Sequence, residues 1–292
     1  MKSSLPRPTW VILCLLPLLT HCGGGGSSDT PATSPSTPPI PTTPGGDPWL
    51  GTGYIKQEQR NLFVGKPYGM ARAAAMGQFD LCNEYRKGYK LAPVLPPEEV
   101  LAGMDTLTIE RHYDSGQALN RTSGYTLEAR DLQRWLEDWK ASKDGTPPTV
   151  PPDCSLYTRH DIVTGTLWAG GVVYSLGSDG KATGTHRSDS LTSRDIFKPE
   201  DIPLLKPAKI GDEACLLSSA ATPLGNSTAC FSTRFPLKAY LSWPWLLEAK
   251  TYSGSGESAA VTDLKTVDAS FGKPSPVGLF RVPDGYTVVM LD

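Results

Sequence analysis

The stretch Val172-Val173-Tyr174-Ser175-Leu176-Gly177-Ser178-Asp179-Gly180-Lys181-Ala182-Thr183-Gly184-Thr185-His186-Arg187 decides the fold class. Val172 to Leu176 and Ala182 to Arg187 read as two short strands, and Ser178-Asp179-Gly180 between them supplies the positive φ that a hairpin turn needs. The same grammar recurs on either side. Upstream, Thr106 to Asp114 alternates, with Leu107, Ile109 and Tyr113 on one face and Thr108, Glu110 and His112 on the other. Downstream, Cys215 to Ser218 and Ala229 to Thr233 form a second hairpin around Leu224-Gly225-Asn226, followed by strands over Leu237 to Trp245, Ala260 to Val267 and Tyr286 to Leu291. Short connections between such runs favour antiparallel meander pairing.

Two helices interrupt this pattern. Leu132, Trp135, Leu136 and Trp139 fall at i, i+3, i+4 and i+7, which predicts a helix from about Leu127 to Ser142. Thr126 is placed to cap it, Glu128 lies in its first turn, Lys140 and Lys143 lie near its end, and Gly145 with Pro147-Pro148 stops it. A second helix is expected between Met70 and Tyr85, with Met70, Ala73, Ala74 and Phe79 available for one face. The fold class is therefore α+β, mainly antiparallel β, with a large sheet and one or two helices packed on it.

Of the 292 residues, 39% are hydrophobic and 20% charged, which suits one folded domain with flexible additions. A net charge of -2, a pI of about 6.1 and the lack of a long basic run exclude the electrostatic footprint of nucleic-acid binding. The domain is expected over residues 49–292, since apolar and aromatic residues return at Trp49. Before it, residues 22–48 are nearly all Gly, Ser, Thr and Pro, a composition that buries too little surface to offset chain entropy and reads as a tether. Residues 1–21 carry Lys2 and Arg7 and then an apolar run from Trp10 to Leu19, too short to span a bilayer, and read as a secretory signal.

The signal ends Leu19-Thr20-His21-Cys22, followed by Gly23 to Gly26. This resembles the lipobox of bacterial lipoproteins, with His21 standing where that motif carries Gly, Ala or Ser. The resemblance implies acylation of Cys22, a mature chain that begins there and, with Gly23 rather than Asp next, an outer-membrane lipoprotein facing the periplasm or the cell surface. Removing Met1 to His21 leaves 26 basic and 30 acidic side chains, a net charge of -4. Two or more acyl chains anchor firmly, because each buried methylene contributes about 0.8 kcal/mol.

A further resemblance covers the last quarter of the chain. A Cys-bearing hairpin, Phe235-Pro236-Leu237-Lys238, two strands and Leu279-Phe280-Arg281-Val282-Pro283-Asp284-Gly285-Tyr286 look like the closing strands of LolA/LppX-type half-barrel lipoproteins. That family implies a strongly curved, half-barrel-like sheet whose concave apolar face holds lipid or a partner.

The sequence assigns no catalytic residue, metal ligand or cofactor. It contains no GxSxG elbow, P-loop, HExxH, dinucleotide fingerprint, EF-hand loop or CxxC. His112 with Asp114, His160 with Asp161 and His186 with Asp189 can each be drawn as a general-base pair, although surface histidine is the simpler reading. Asp212-Glu213 reads as a solvated strand entrance. Trp243 and Trp245, at i and i+2 across Pro244, share a sheet face and form a candidate stacking platform, with core packing as the alternative. Four cysteines in an exported domain allow three pairings. Cys215 and Cys230 flank one hairpin as directly opposed residues, which selects that pair and leaves Cys82 with Cys154.

These readings leave two function classes. One is a non-enzymatic envelope lipoprotein, held on the membrane by its lipid, that binds lipid, polymer or an envelope protein. The other is a secreted hydrolase whose catalytic residues are unidentified. Replacing Cys22 by Ala is expected to move the chain out of the membrane fraction or to leave its signal uncleaved. Unchanged membrane partitioning of that variant would contradict the lipobox reading.

Overall fold

The computed structural model describes residues 52–114, 116–142, 145–186, 193–195, 204–233, 238–240 and 245–291. The chain divides into the units Met1–Pro38 and Pro39–Asp292, and every described residue belongs to the second. The signal, Cys22 and the tether expected over 22–48 thus lie outside the described residues.

The elements in chain order are β1 (Thr52–Phe63), α1 (Met70–Gly88), α2 (Glu98–Gly103), β2 (Thr106–Asp114), β3 (Gln117–Glu128), α3 (Arg130–Ala141), β4 (Thr158–Ala169), β5 (Val172–Leu176), β6 (Lys181–His186), β7 (Ser193–Asp195), β8 (Lys206–Ile210), β9 (Glu213–Thr222), β10 (Gly225–Ser232), β11 (Lys238–Tyr240), β12 (Leu246–Ser253), β13 (Ala260–Phe271) and β14 (Thr287–Leu291). Twelve strands form one sheet in the order β14-β6-β5-β4-β3-β2-β1-β13-β12-β10-β9-β8, and β7 with β11 makes a separate ribbon. This is the expected α+β class with a large, mainly antiparallel sheet and packed helices. The sheet is open and uncurled, which differs from the half-barrel curl implied by the family resemblance.

The β5–β6 hairpin has the expected form: Gly177 donates to the Lys181 carbonyl at 2.8 Å, and Gly180 turns the chain with φ 74°. The last strand does not continue the meander. β14 returns across the sheet to pair parallel with β6, the one parallel pair among the described strands. Gly184 of β6 permits this approach, since a Cβ there would sit 2.6 Å from Met290 Sδ and 2.9 Å from a Tyr174 ring carbon. Of the strand expected over Leu237 to Trp245, Lys238–Tyr240 forms β11 in the separate ribbon, Leu237 and residues 241–244 lie outside the described residues, and the next strand, β12, starts only at Leu246.

Cross-strand register sorts the side chains onto two faces. Ile55, Tyr113, Ala118 and Trp168 share the first face and join Leu247, Trp245, Cys215 and Cys230 in one buried cluster. The opposite face carries two clusters. Leu119, Leu167, Leu176 and Ala182 pack under Leu279, Phe280, Val282 and Tyr286, the segment that leads into β14. Leu127, farther along β3, packs under the helices with Phe79, Cys82, Leu101, Met104 and Leu132.

The helices differ from the sequence reading in their ends and faces. α3 starts at Arg130 because β3 runs through Thr126, Leu127 and Glu128, which pair with His160, Arg159 and Thr158 of β4. Ladder bonds to β4 outweigh the cap that Thr126 would provide. In α1 the buried residues are Ala75, Phe79 and Cys82, spaced i, i+4 and i+7, while Met70 is 66% exposed. The start of α1 is capped from outside. The buried carboxylate of Asp105 accepts from the Gly69 amide at 2.8 Å and from the Arg72 amide at 3.1 Å, satisfying donors that a helix start leaves orphaned. Gly69 is required there because a Cβ would lie 1.8 Å from the Asn61 carbonyl oxygen.

Both expected disulfides are present, Cys82–Cys154 and Cys215–Cys230. The second is diagonal rather than directly opposed. In the β9–β10 register Cys215 faces Ser232 and Cys230 faces Leu217, and the cysteines, two positions apart on the same face, have Cα atoms 5.5 Å apart. The sequence separations are 72 and 15 residues, so loop-closure entropy makes the Cys82–Cys154 bond the more stabilising, at about 4 kcal/mol against about 3 kcal/mol. Urea unfolding of the two double Cys→Ser variants is expected to show both destabilised, with the Cys82/Cys154 variant losing about 1 kcal/mol more. Equal losses, or none, would contradict this.

Candidate functional site

The C-terminal end of α1 and one face of α3 bring together a set of aromatic rings. Tyr85 and Tyr89 lie one turn apart at the end of α1, and Trp135 and Trp139 one turn apart on α3, so each pair projects from one helix face. The rings of Tyr85 and Trp135 have centroids 4.6 Å apart, those of Trp135 and Trp139 are 5.3 Å apart at 60°, and Tyr85 meets Trp139 edge-on at 5.8 Å. Such offset and edge-on contacts suit the ring quadrupoles.

The segment after α3 crosses this cluster and is held by several bonds. Trp139 Nε1 donates to the Gly145 carbonyl at 2.8 Å, Trp135 Nε1 to the Val150 carbonyl at 2.9 Å, and the Tyr89 hydroxyl to the Pro148 carbonyl. Farther along, Arg86 Nη1 donates to the Pro152 carbonyl at 3.2 Å, the Asp153 amide donates to Asp131 Oδ2 at 2.7 Å, and Cys154 is bonded to Cys82 of α1. Between helices and segment runs an open groove of about 440 Å³, lined by Tyr85, Tyr89, Trp135, Trp139 and Pro147-Pro148, with Glu84 on its rim. That size falls in the usual range for small-ligand sites, roughly 300–1,000 Å³.

The groove's chemistry follows from where its polar tips point. Both indole N–H groups and the Tyr89 hydroxyl are used by backbone carbonyls, so the groove offers mainly apolar surface beside Glu84 and Thr149. The disulfide and the bonds to 145–153 fix the rings before any ligand arrives, which lowers the ordering cost of binding.

The residues singled out from sequence are placed elsewhere. Trp245 is 9% exposed and packs against Phe271 at 6.4 Å, within the first-face cluster, so it is a core residue. Trp243 lies outside the described residues. His112 stacks on Tyr54 with centroids 4.6 Å apart, while Asp114 accepts from the Ser275 amide. His160 Nε2 lies 2.9 Å from Glu128 Oε2, and Asp161 is instead paired with Arg159 at 2.8 Å, because the β3–β4 register puts Thr126 opposite His160 and Glu128 two positions beyond. Both members of the His160–Glu128 pair are about half exposed. His186 is exposed, Asp189 lies outside the described residues, and Asp212 and Glu213 stand at the start of β9. Among the described residues no three His, Cys, Asp or Glu side chains stand together as a metal group.

Sequence reading placed Trp135 and Trp139 on one apolar face of a helix. Trp135 is buried, but Trp139 is half-buried and faces the groove together with Tyr85 and Tyr89. The signal that marked the site was the coincidence of two tyrosines and two tryptophans at i, i+4 spacing with Pro147-Pro148. It points to a site only once α1 and α3 are known to be neighbours. Comparison with protein-family models and with curated proteins finds no match to this chain.

Burial holds the His112 imidazole below its ordinary pKa of 6.5, opposed by the attraction of Glu110. Because folding favours the neutral ring, its stabilising contribution is present above that value and is lost as the pH falls toward the depressed folded-state pKa. His112→Gln is therefore expected to flatten the decline in stability below pH 6.5, measured as thermal unfolding midpoint against pH. An unchanged profile would show that His112 is not the responsible group.

Proposed function

We propose that this chain is an exported, lipid-anchored protein of the bacterial cell envelope that binds a polymer through its aromatic groove, without catalysing a reaction. Two disulfides indicate an oxidising extracellular or periplasmic compartment. No helix of the described residues is long and apolar enough to cross a membrane. Attachment through Cys22 supplies the membrane link in this reading, and the outer membrane is its proposed place.

The observation that carries the binding role is the preorganised aromatic surface of Tyr85, Tyr89 and Trp139, backed by the buried Trp135. Saccharide rings present apolar C–H faces that stack on such rings and hydroxyls that reach a rim acceptor such as Glu84. A glycan strand is therefore the polymer the groove suits best. An acyl chain would use the ring faces but make no use of Glu84, an exposed carboxylate that pairs with Lys87 at 3.9 Å. This reading moves the ligand site from the concave sheet face, and from Trp243 and Trp245, to the helical layer.

The test is tryptophan fluorescence of the purified full chain titrated with soluble oligosaccharides of N-acetylglucosamine. A saturable response is expected, with Trp139→Ala weakening the affinity about tenfold, equivalent to about 1.4 kcal/mol and in keeping with the loss of one aromatic contact. A response that is absent, or that is the same in Trp139→Ala, would reject the groove as a glycan site.

A further inference from the structure

The two edges of the twelve-stranded sheet differ in chemistry. At one end β8 carries Lys206, Pro207 and Lys209, two charges and a residue without an amide N–H, the features that blunt an edge against pairing. At the other end β14 reads Thr287-Val288-Val289-Met290-Leu291, with no charge and no proline. Its apolar side chains are unusually open, with Val288 49%, Val289 45%, Met290 41% and Leu291 51% exposed. Alternation along the strand puts Val288 and Met290 on one sheet face and Val289 and Leu291 on the other. Both faces of this edge are thus apolar.

The backbone groups available on that edge can be identified. Thr287 donates its N–H to the Gly180 carbonyl at 2.8 Å, and the parallel register sets Thr287, Val289 and Leu291 beside Lys181, Thr183 and Thr185. In a strand the N–H and C=O of one residue point to the same side and successive residues alternate. Thr287, Val289 and Leu291 therefore bond inward to β6, and the N–H and C=O of Val288 and Met290 point outward.

We propose that this edge pairs with the same edge of a second copy of the chain, β14 against β14, antiparallel about a two-fold axis through Val289. In that register Val288 of each copy faces Met290 of the other. Each such pair exchanges two bonds, four in all, and all four outward groups of each strand are used. Val289 faces its own counterpart in a non-hydrogen-bonded position. The strand opposes only neutral side chains to itself, so self-pairing meets no charge repulsion. Because β8 is blunted, the association closes at a dimer rather than continuing as a fibre. The inference does not depend on the aromatic groove.

A single cysteine at the axis tests it. Directly facing residues in a non-hydrogen-bonded pair have Cα atoms about 4.5 Å apart, within the range a disulfide bridges. Val289→Cys in the full-length chain, expressed in its own membrane, is expected to give a disulfide-linked species of twice the chain mass on non-reducing gels. Val277→Cys, at the fully exposed Val277, is expected to give none. Adding Met290→Pro, which removes an outward N–H without touching the inward bonds, is expected to abolish the crosslink while leaving the thermal unfolding midpoint within a few degrees. Sedimentation of the unmodified chain in detergent is expected to show a dimer. Four results would each overturn the proposal: no product of doubled mass from Val289→Cys; equal products from Val289→Cys and Val277→Cys; a crosslink that survives Met290→Pro; or a product of another mass, which would mean that a strand of a different protein pairs there.

Discussion

The pairing of β1 with β13 is the contact on which the large sheet depends. β1 lies between β2 and β13, so it joins the strands β2 to β6 to the strands β8, β9, β10, β12 and β13. Eleven residue pairs, from Gly53 with Phe271 to Phe63 with Ala260, connect segments some two hundred positions apart in the chain. Closing such a loop is entropically unfavourable, and the ladder and the apolar contacts around it must offset that cost. Ile55, fully buried, sits at the seam among Tyr113, Ala269, Phe271 and Leu247. Gln57, also fully buried, reaches across to the carbonyls of Leu246 and Leu247 at 2.8 and 3.3 Å, where β12 begins before its pairing with β13.

Neither disulfide crosses this seam. Cys82–Cys154 lies wholly on the N-terminal side of it and Cys215–Cys230 wholly on the C-terminal side. The covalent bonds therefore stiffen each half, and non-covalent pairing joins them. β14 provides the second connection, since the end of the chain returns to β6 over the cluster of Leu119, Leu167, Leu176 and Ala182. In doing so it leaves the apolar end of the chain as a sheet edge.

The groove depends on the same division. Cys82–Cys154 ties the segment after α3 to α1, and Asp131 and Trp135 of α3 hold it at two further points. Local stiffness there keeps Tyr85, Tyr89 and Trp139 half-open as a surface over the buried Trp135. One bond thus has two structural effects: it closes a long loop and it shapes the groove.

The sequence by itself determined the α+β class, the hairpin at Asp179-Gly180, the strand Thr106–Asp114 with its buried Ile109 and Tyr113, and both disulfide partners. These are local quantities: period two, turn chemistry, and cysteines flanking a single hairpin. Tertiary structure alone decided that β1 lies at the centre of the sheet, that β14 runs parallel to β6, and that β3 continues through Leu127, where the sequence reading starts a helix. Each of those depends on a partner strand far away in sequence, and a ladder bond overrides a local propensity worth a fraction of a kcal/mol. The site divides in the same way. Trp135 and Trp139 were legible as one helix face, but whether that face packs a core or opens as a groove depended on α1 bringing Tyr85 and Tyr89 beside it. Trp245 took the opposite course, because Phe271, distant in sequence, covers it.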